Sequence, residues 1–342
     1  MSDDPFHHGV LIPTAGHGVP DREAVAELAG LGFTDVWAAE SDRGDAITPL
    51  AAVAATHPGL NIGTAIVSAF TRGPATLAQT AASLAQMAPG RFSLGIGSSS
   101  NVVVQGWNGI AFERSYYRMR DMVRFLKDAF TGEKVTREFE TFESRGFRLG
   151  IVPEQTPPIY VAALREGMLR LAGREGDGVI LNWLAAKDVP RVTEIVRTAA
   201  GGVAKPAVGV IFVCPSENTA VVREAARRFV TTYANVPVYA EYQRWLGRAA
   251  DLEETWALWS GGNRAAAAAA VPDHVVDELI VHGSPEECRG RIEEYRQAGI
   301  THPALMVMPF DPELDSWGAI RLLGPSRRDR AEPGPSSRTG TA

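Results

Sequence analysis

The sequence is poor in cysteine and contains no long apolar run. Its two cysteines, Cys214 and Cys288, stand far apart and show no metal-ligand spacing. Such a pair is typical of a protein from a reducing compartment rather than of a disulfide-stapled or zinc-binding domain. No run of 18 apolar residues is present, and residues 1–9 lack the basic end and apolar core of a signal peptide. We therefore expect a cytoplasmic protein that does not cross a membrane.

Several common catalytic signatures are also missing. The chain has no G-x-S-x-G nucleophile elbow, no H-E-x-x-H zinc motif and no Walker loop. Gly95 and Gly97 begin a glycine-rich turn, but serines follow where a dinucleotide fingerprint needs its third glycine. A formal net charge of -6 over 342 residues disfavours nucleic acid as a partner. Hydrolase chemistry and a metal site therefore have little support in the sequence.

What the chain does contain is a regular alternation of short apolar runs and helix-like segments. This alternation is typical of parallel strands joined by right-handed helical crossovers. Eight such strands predict an α/β protein with a closed (β/α)8 TIM barrel, and an open doubly wound sheet is the alternative. The predicted strands lie near residues 9, 33, 60, 92, 159, 178, 207 and 304.

The alternation is interrupted twice. Residues 135–150 alternate polar with aromatic or apolar side chains and predict a hairpin insertion with its turn at Ser144–Gly146. Residues 216–281 read as mostly helical and are too long for one crossover, so they predict a helical insertion that covers part of the barrel mouth. We expect residues 1–323 to form a single domain, and the polar tail 324–342 to be disordered.

Polar residues follow most of the predicted strands. In a barrel of this kind the chemistry lies on the loops after the strands, at the C-terminal face. His17 follows the first strand, Glu40 the second and Asn182 the sixth. Each has a structural alternative: Glu40 could cap a helix or pair with Arg43, and His17 could be an ordinary loop residue. Asn182 is the stronger candidate, because an amide at a strand end contributes little by packing.

The stretch 157–183 predicts a strand, a turn, a helix and a second strand. Such a unit places a helix N-terminus beside the C-terminal end of a parallel strand, which suits an anion. Arg165 lies at the start of the predicted helix, where a cation opposes the helix dipole. A bound anionic group explains that arginine better than helix stability does.

Several segments together resemble the luciferase-like monooxygenase superfamily, and in particular its branch that uses the deazaflavin coenzyme F420. The matching blocks are GFTDVWAAES (32–41), IGTAIVSAFTRGPATLAQTAASL (62–84), GRFSLGIGSSSNVVVQGWNG (90–109), PPIYVAALREGMLRLAGREGDGVILNWL (157–184) and HGSPEECRGRIEEYRQAGITHPALMV (282–307). Their order and spacing carry the resemblance over most of the chain.

This resemblance implies a deazaflavin at the C-terminal mouth of the barrel. It places a bulge with a non-prolyl cis peptide at Ala65–Ile66, behind the ring, and Glu40 near the ring. The loop after the fifth strand, with Arg165, would hold the cofactor phosphate. The residues implied in cofactor binding are Glu40, Ala65, Ile66, Ser98, Ser99, Ser100, Asn101, Ala163, Leu164, Arg165, Glu166, Gly167 and Asn182.

The chain departs from the sugar-phosphate dehydrogenases of that branch. It has Ser41 where they carry a catalytic histidine and Ser100 where they carry a glutamate. Oxidation of a hydroxyl group needs a base, so we expect the reverse chemistry: a hydride passes from reduced F420 to an enone or imine. Glu40 and His17 are the candidate proton donors.

Two other functions remain open at this point. One is an FMN-dependent two-component monooxygenase, and the other is a non-catalytic flavin-binding homologue. The acidic tail of F420 would favour a basic groove, for which Arg43, Arg72 and Arg165 are the candidate residues. Similar proteins form homodimers, so a homodimer acting on a small molecule is expected.

Overall fold

The computed structural model describes residues 7–13 and 21–325. Eight parallel strands close into a barrel, as the alternation of the sequence predicts, and helices surround it. The circuit closes where β12 pairs with β1, with Gly9 opposite Ala304. The barrel strands are β1 (Gly9–Leu11), β2 (Asp35–Ala38), β3 (Asn61–Thr64) continued by β4 (Val67–Ser68), β5 (Phe92–Gly97), β8 (Ile159–Ala162), β9 (Gly178–Leu181), β10 (Ala207–Cys214) and β12 (His302–Val307).

Most of the helices pack outside the barrel and bury an apolar face against it. Their ends follow local signals: Asp21 accepts from two N–H groups of α1, Pro74 begins α3, and Ser284 forms a capping box with Glu287. The helices are α1 (Arg22–Leu31), α2 (Ile47–Thr56), α3 (Pro74–Met87), α4 (Ser115–Phe130), α5 (Glu166–Glu175), α6 (Val189–Ala199), α7 (Thr219–Ala234), α8 (Pro237–Trp245), α9 (Ala249–Ser260), α10 (Arg264–Ala269), α11 (Asp273–Leu279), α12 (Pro285–Gln297) and α13 (Ser316–Leu322).

The barrel interior is filled by alternate residues of each strand, because successive side chains of a strand point to opposite faces. Trp37 is the largest of them and is almost wholly buried. A Cβ atom at Gly63 would lie 2.2 Å from the Trp37 ring, and one at Gly9 would lie 2.7 Å from its Nε1. Glycine at these two positions therefore makes room for the indole, which with Tyr160 and Ile180 fills the lower barrel.

The third barrel strand carries a bulge. Gly63 pairs with Ser93 and Val67 pairs with Ile96, so three residues on one strand face two on the other. The peptide bond between Ala65 and Ile66 lies in this bulge and is cis. The position implied for it by the resemblance is confirmed.

The predicted hairpin exists, but the position of its turn was wrong. Strands β6 (Val135–Glu138) and β7 (Glu143–Phe147) are antiparallel, and the Phe139 N–H donates to the Phe142 carbonyl across the turn. Gly146 lies inside β7 with a φ of 75°, near the point where the pairing register shifts. Its left-handed backbone therefore belongs to an irregularity within β7 and not to the turn that was predicted at this position.

The region predicted as mostly helical contains five helices, α7 to α11. It also contains a strand that was not predicted, β11 (Ile280–His282), which pairs with the end of β10. One edge of β10 pairs with β12. The other edge pairs first with β9, at residues 207–209, and then with β11, at residues 212–214. β11 has only three residues and directly follows α11. A segment this short shows no periodicity, so the sequence pattern did not predict the strand.

Two further observations concern the described ranges 7–13 and 21–325. None of their helices combines the length and apolar character that a bilayer span requires. They also hold no cluster of three or more His, Cys, Asp or Glu side chains that could ligate a metal ion. The tail beyond Pro325 lies outside these ranges.

Candidate active site at the barrel mouth

The floor of the barrel mouth is made of small side chains. In the lower barrel Ile180 fills the interior, because a Cβ at Gly95 would lie 2.4 Å from its Cδ1. Above that level the inward positions carry Gly97 and Ala162, next to the bulge at Ala65–Ile66. A Cβ at Gly97 would lie 2.9 Å from the Ile66 side chain. The sequence therefore leaves room at this end for a flat group that larger residues would exclude.

Glu40 stands at the end of the second strand and pairs with Arg72. Its Oε1 accepts from Arg72 Nε at 2.8 Å and lies 2.6 Å from Arg72 Nη2, while its Oε2 accepts from the Ser68 N–H at 3.0 Å. Both side chains are only about one-fifth exposed, at 20% and 22%. The carboxylate thus pairs with Arg72, where Arg43 had been the expected partner.

The loop after β5 holds the serines that the resemblance implicates. Ser99 adopts a left-handed backbone with φ of 61°, and the Ser100 Oγ accepts from the Val103 N–H at 3.4 Å. A π-helical segment, Val102–Trp107, follows. Ser98 and Asn101 are at least partly exposed beside it. Trp107, at the end of that segment, is 56% exposed.

The N-terminus of α5 is open. Among the described residues no side chain caps the N–H groups of its first turn, and a Cβ at Gly167 would meet no atom within 4 Å. Arg165 precedes the helix, and its Nη1 lies 3.9 Å from Glu241 Oε2 on α8. Residues 164–167 thus bring N–H groups and one guanidinium to the rim, which suits an anion. The Ala163 N–H, which the sequence had also implicated, is already bonded to the Ile180 carbonyl at 3.0 Å.

Asn182 continues the inward-facing series of β9, two residues beyond Ile180. It lies close to Tyr239 of the helical insertion, and its amide offsets part of the rise that burial causes in the pKa of Tyr239. Trp183, the next residue, has a left-handed backbone with φ of 53°, and its carbonyl accepts from Gln243 Nε2 at 2.7 Å. The end of β9 is therefore joined to α8 by the Gln243 side chain.

An aromatic cluster packs the insertion onto this end of the barrel. The Trp183 ring is buried, with the ring of Tyr233 at 4.7 Å and that of Phe212 at 4.6 Å between centroids. Burial, and then the charge of Asp42, raise the pKa of Tyr233. Since Asp42 belongs to the loop after β2, α7 reaches from the sixth strand towards the second. That the insertion covers part of the mouth stays a prediction.

The structure brings together most of the residues implicated from the sequence at one end of the barrel. Glu40, the Ala65–Ile66 peptide, Ser98–Asn101, residues 163–167 and Asn182 all follow strand ends there. His17 lies outside the described residues. Sequence reasoning did not find the bond between Glu40 and Arg72 or the proximity of Asn182 to Tyr239. The only signal for either was that the residues were polar or aromatic and close to predicted loops.

A comparison with models of protein families gives a match over residues 5–302, to the family described as luciferase-like monooxygenase. The chain belongs to this family. The match includes every strand of the barrel up to the start of β12, and it covers all of the implicated residues. The resemblance deduced from the sequence is therefore confirmed.

This luciferase-like chain is similar in sequence to two kinds of enzyme. The 5,10-methylenetetrahydromethanopterin reductase of Methanolobus tindarius is 26% identical over 300 residues, which are 86% of this chain and 90% of that protein. The F420-dependent glucose-6-phosphate dehydrogenase of Rhodococcus erythropolis is 29% identical over 252 residues, 71% of each chain.

Solved structures with the same fold include both cofactor types. The coenzyme F420 dependent tetrahydromethanopterin reductase from Methanopyrus kandleri superposes with a TM-score of 0.74 at 19% identity, covering 93% of this chain and 97% of that one. A type II Baeyer-Villiger monooxygenase of Pseudomonas putida, in complex with FMN, superposes with a TM-score of 0.65 at 17% identity and the same coverage. At these identities the likeness concerns the fold.

Proposed function

We propose that this luciferase-like protein is an F420-dependent reductase, in which a hydride passes from the reduced deazaflavin to an unsaturated small molecule such as an enone or imine. The observation that carries the proposal is the combination of a small-residue floor at Gly97 and Ala162 with the open N-terminus of α5 on the same rim. The floor fits a flat ring, and the helix end fits a phosphate. F420-dependent enzymes among the relatives supply the identity of the group.

The residues that would hold the cofactor are those implicated from the sequence. The ring would lie over the Ala65–Ile66 bulge near Glu40, and the phosphate would meet the N–H groups of residues 164–167 with Arg165. When bound, F420 supplies the hydride. The chain itself would supply orientation and a partly closed chamber. Of the two proton donors predicted from the sequence, Glu40 and His17, we propose His17 for this role, because Glu40 would first have to take up a proton against its ion pair with Arg72.

The direction of the reaction follows from residues that the chain lacks. Ser41 and Ser100 occupy the positions at which the sugar-phosphate dehydrogenases carry a histidine and a glutamate. Neither serine has a side chain that takes up a proton near neutral pH. Glu40 already accepts hydrogen bonds from Arg72 and Ser68. Reduction of an activated double bond needs no base, so it fits this set of side chains better than oxidation of an alcohol.

A titration of the purified protein with F420 and, separately, with FMN tests the proposal. F420 fluorescence should change on binding, and the loaded enzyme should oxidise reduced F420 when enones or imines are added. Tight binding of FMN without binding of F420 would overturn it and favour a two-component monooxygenase, the candidate that the FMN-bound neighbour supports. Tight F420 binding without turnover of any compound of a broad panel would favour a non-catalytic homologue.

We also propose a cytoplasmic homodimer acting on a small molecule, with residues 1–323 as one domain. The support comes from the family resemblance. Light scattering during gel filtration measures the mass directly. A species of 36.7 kDa, the mass of one chain, would contradict the dimer.

A further inference from the structure

The chain leaves β9 through a residue with an uncommon backbone conformation. Trp183 has φ of 53°, in the left-handed region that bulky side chains rarely adopt. It directly follows Asn182, one of the residues implicated in cofactor binding, and its side chain is buried. A strained backbone of this kind persists only where the surrounding structure holds it, and it occurs most often at functional sites. The contacts that hold Trp183 therefore bear on the function of the barrel mouth.

A side chain of the helical insertion holds the Trp183 carbonyl. Gln243, on α8, donates from Nε2 to this oxygen at 2.7 Å and is itself only 2% exposed. Its Oε1 accepts from Arg248 Nη1 at 3.2 Å. Because a guanidinium can only donate, the oxygen of the Gln243 amide faces Arg248 and the nitrogen faces Trp183. Arg248 thus fixes the end of Gln243 that reaches the loop after β9.

The same buried network returns to this loop two residues further along. Arg248 is 3% exposed, and its Nη2 bonds to Asp188 Oδ2 at 2.7 Å. Asp188 Oδ2 also accepts from the Ala185 N–H at 2.9 Å. A chain of four hydrogen bonds therefore joins the Trp183 carbonyl to the Ala185 N–H. Burying such groups costs desolvation free energy, and apolar packing could replace them with little loss of stability. The network suits a requirement for one fixed backbone geometry at the end of β9.

We propose that Gln243 is a positioning residue for the cofactor site: it keeps Trp183 in the left-handed conformation and thereby sets the position of Asn182 at the end of β9. The inference rests on the function proposed above, in which Asn182 contacts the cofactor. Asn182 and Trp183 share a peptide unit, so a change in the Trp183 backbone rotates that unit and moves Asn182 with it. Without the hydrogen bond from Gln243, Trp183 can relax to the negative φ that bulky residues prefer.

Tyr295 provides the matched control for a role in stability alone. Its hydroxyl donates to the Leu184 carbonyl at 3.0 Å, and the side chain is buried like that of Gln243. It therefore holds the next carbonyl of the same loop and leaves the bond between Gln243 and Trp183 intact. Gln243→Met and Tyr295→Phe should both lower the urea midpoint, because each removes one buried hydrogen bond to this loop. Only Gln243→Met should affect Asn182.

The first measurement needs no cofactor. In protein labelled with nitrogen-15, the side-chain amide resonances of Asn182 are assigned from their loss in Asn182→Ala. They should shift in Gln243→Met and stay at their wild-type positions in Tyr295→Phe. Gln243→Glu is the second variant if the methionine variant does not fold, because it keeps an acceptor for Arg248 and removes the donor to Trp183. Unshifted resonances in a folded Gln243 variant would overturn the proposal.

The second measurement is a double-mutant cycle on F420 affinity. Gln243→Met should weaken F420 binding by roughly 10-fold, the equivalent of one hydrogen bond, whereas Tyr295→Phe should leave the affinity unchanged. In the Asn182→Ala background Gln243→Met should have no further effect, because the residue through which it acts is gone. Equal losses with and without Asn182 would overturn the positioning role. If the wild-type protein binds no F420, the proposed cofactor is wrong, and the Asn182 resonances still decide whether Gln243 positions that residue.

Discussion

Arg72 and Glu40 are joined through two nitrogen atoms, with Glu40 Oε1 2.6 Å from Arg72 Nη2 and 2.8 Å from Nε. Glu40 follows β2, and Arg72 follows the bulged strand beside it. The Ser68 N–H holds the other carboxylate oxygen. Two neighbouring loops of the rim are therefore fixed to one another by a single carboxylate. Arg72, the partner of this carboxylate, is therefore the first residue to substitute.

Arg72→Leu should lower the free energy of unfolding by about 2 kcal/mol, because it leaves a partly buried carboxylate with one hydrogen bond in place of two and without its ion pair. Urea denaturation measures the change. The control is Arg43→Leu, since Arg43 is exposed and makes no ion pair with a described residue, and its effect should stay within about 0.5 kcal/mol. Equal midpoints for the two variants would show that the pair does not stabilise the rim.

Arg165→Ala should weaken F420 binding by roughly 10-fold, because a charge-assisted bond to the phosphate is lost. It should leave unchanged the binding of the deazaflavin riboside that lacks the phosphate. Glu241→Gln should act in the opposite direction, since Glu241 competes for the same guanidinium. Fluorescence titration measures all of these affinities.

Arg170→Ala is the control, because Arg170 lies on the same helix and pairs with Glu166 in solvent. An equal loss of affinity for the phosphorylated and the dephosphorylated compound in R165A would remove Arg165 from the phosphate site.

Arg248→Met should destabilise the protein by about 3–5 kcal/mol. Arg248 is 3% exposed and bonds to Asp188 and Glu278, so its removal leaves carboxylates without their buried partner. Arg228→Met is the comparison, because Arg228 pairs with Glu224 on the surface of α7 and should contribute less than about 1 kcal/mol. The two unfolding midpoints in urea give the answer, and similar values would argue against a strong buried network.

Acidification should destabilise the protein through His302. Burial, together with the nearby His7, lowers the pKa of His302 to about 4, against an ordinary value of 6.5. The unfolded chain therefore binds more protons than the folded one below about pH 6.5, so stability falls as the pH drops from 6.5 towards 4. The loss should amount to about 3 kcal/mol at most.

Several groups from neighbouring elements face His302, and Thr301 Oγ1 hydrogen-bonds to its Nδ1 at 2.7 Å. His7 stacks on His302 and bonds to Asp35, whose pKa is lowered, and the rings of Tyr160 and Trp37 complete the contacts. His302→Asn should flatten the pH profile of unfolding between pH 4 and 6.5. His274→Asn, at an exposed site, should leave that slope as it is. An unchanged slope in H302N would assign the acid sensitivity elsewhere.

Local signals in the sequence predicted the elements well. Eight of the barrel strands lie where the alternation of the sequence predicts them, and Ser284 and Asp21 are helix caps of the kind that local sequence specifies. The resemblance placed the cis peptide at Ala65–Ile66 correctly. The turn of the hairpin and the strand β11 were missed, because a turn beside a bulge and a three-residue strand have no distinctive local pattern.

By itself the sequence determined the barrel, the family and which loops carry polar groups, since helix caps, periodicity and strand alternation act over a few residues. The tertiary structure alone decided the pairings at the mouth. Glu40 meets Arg72 over a separation of 32 residues, and Asn182 lies close to Tyr239 only because the insertion folds back over the sixth strand. Such contacts depend on closure of the barrel, which brings together side chains that no local pattern connects.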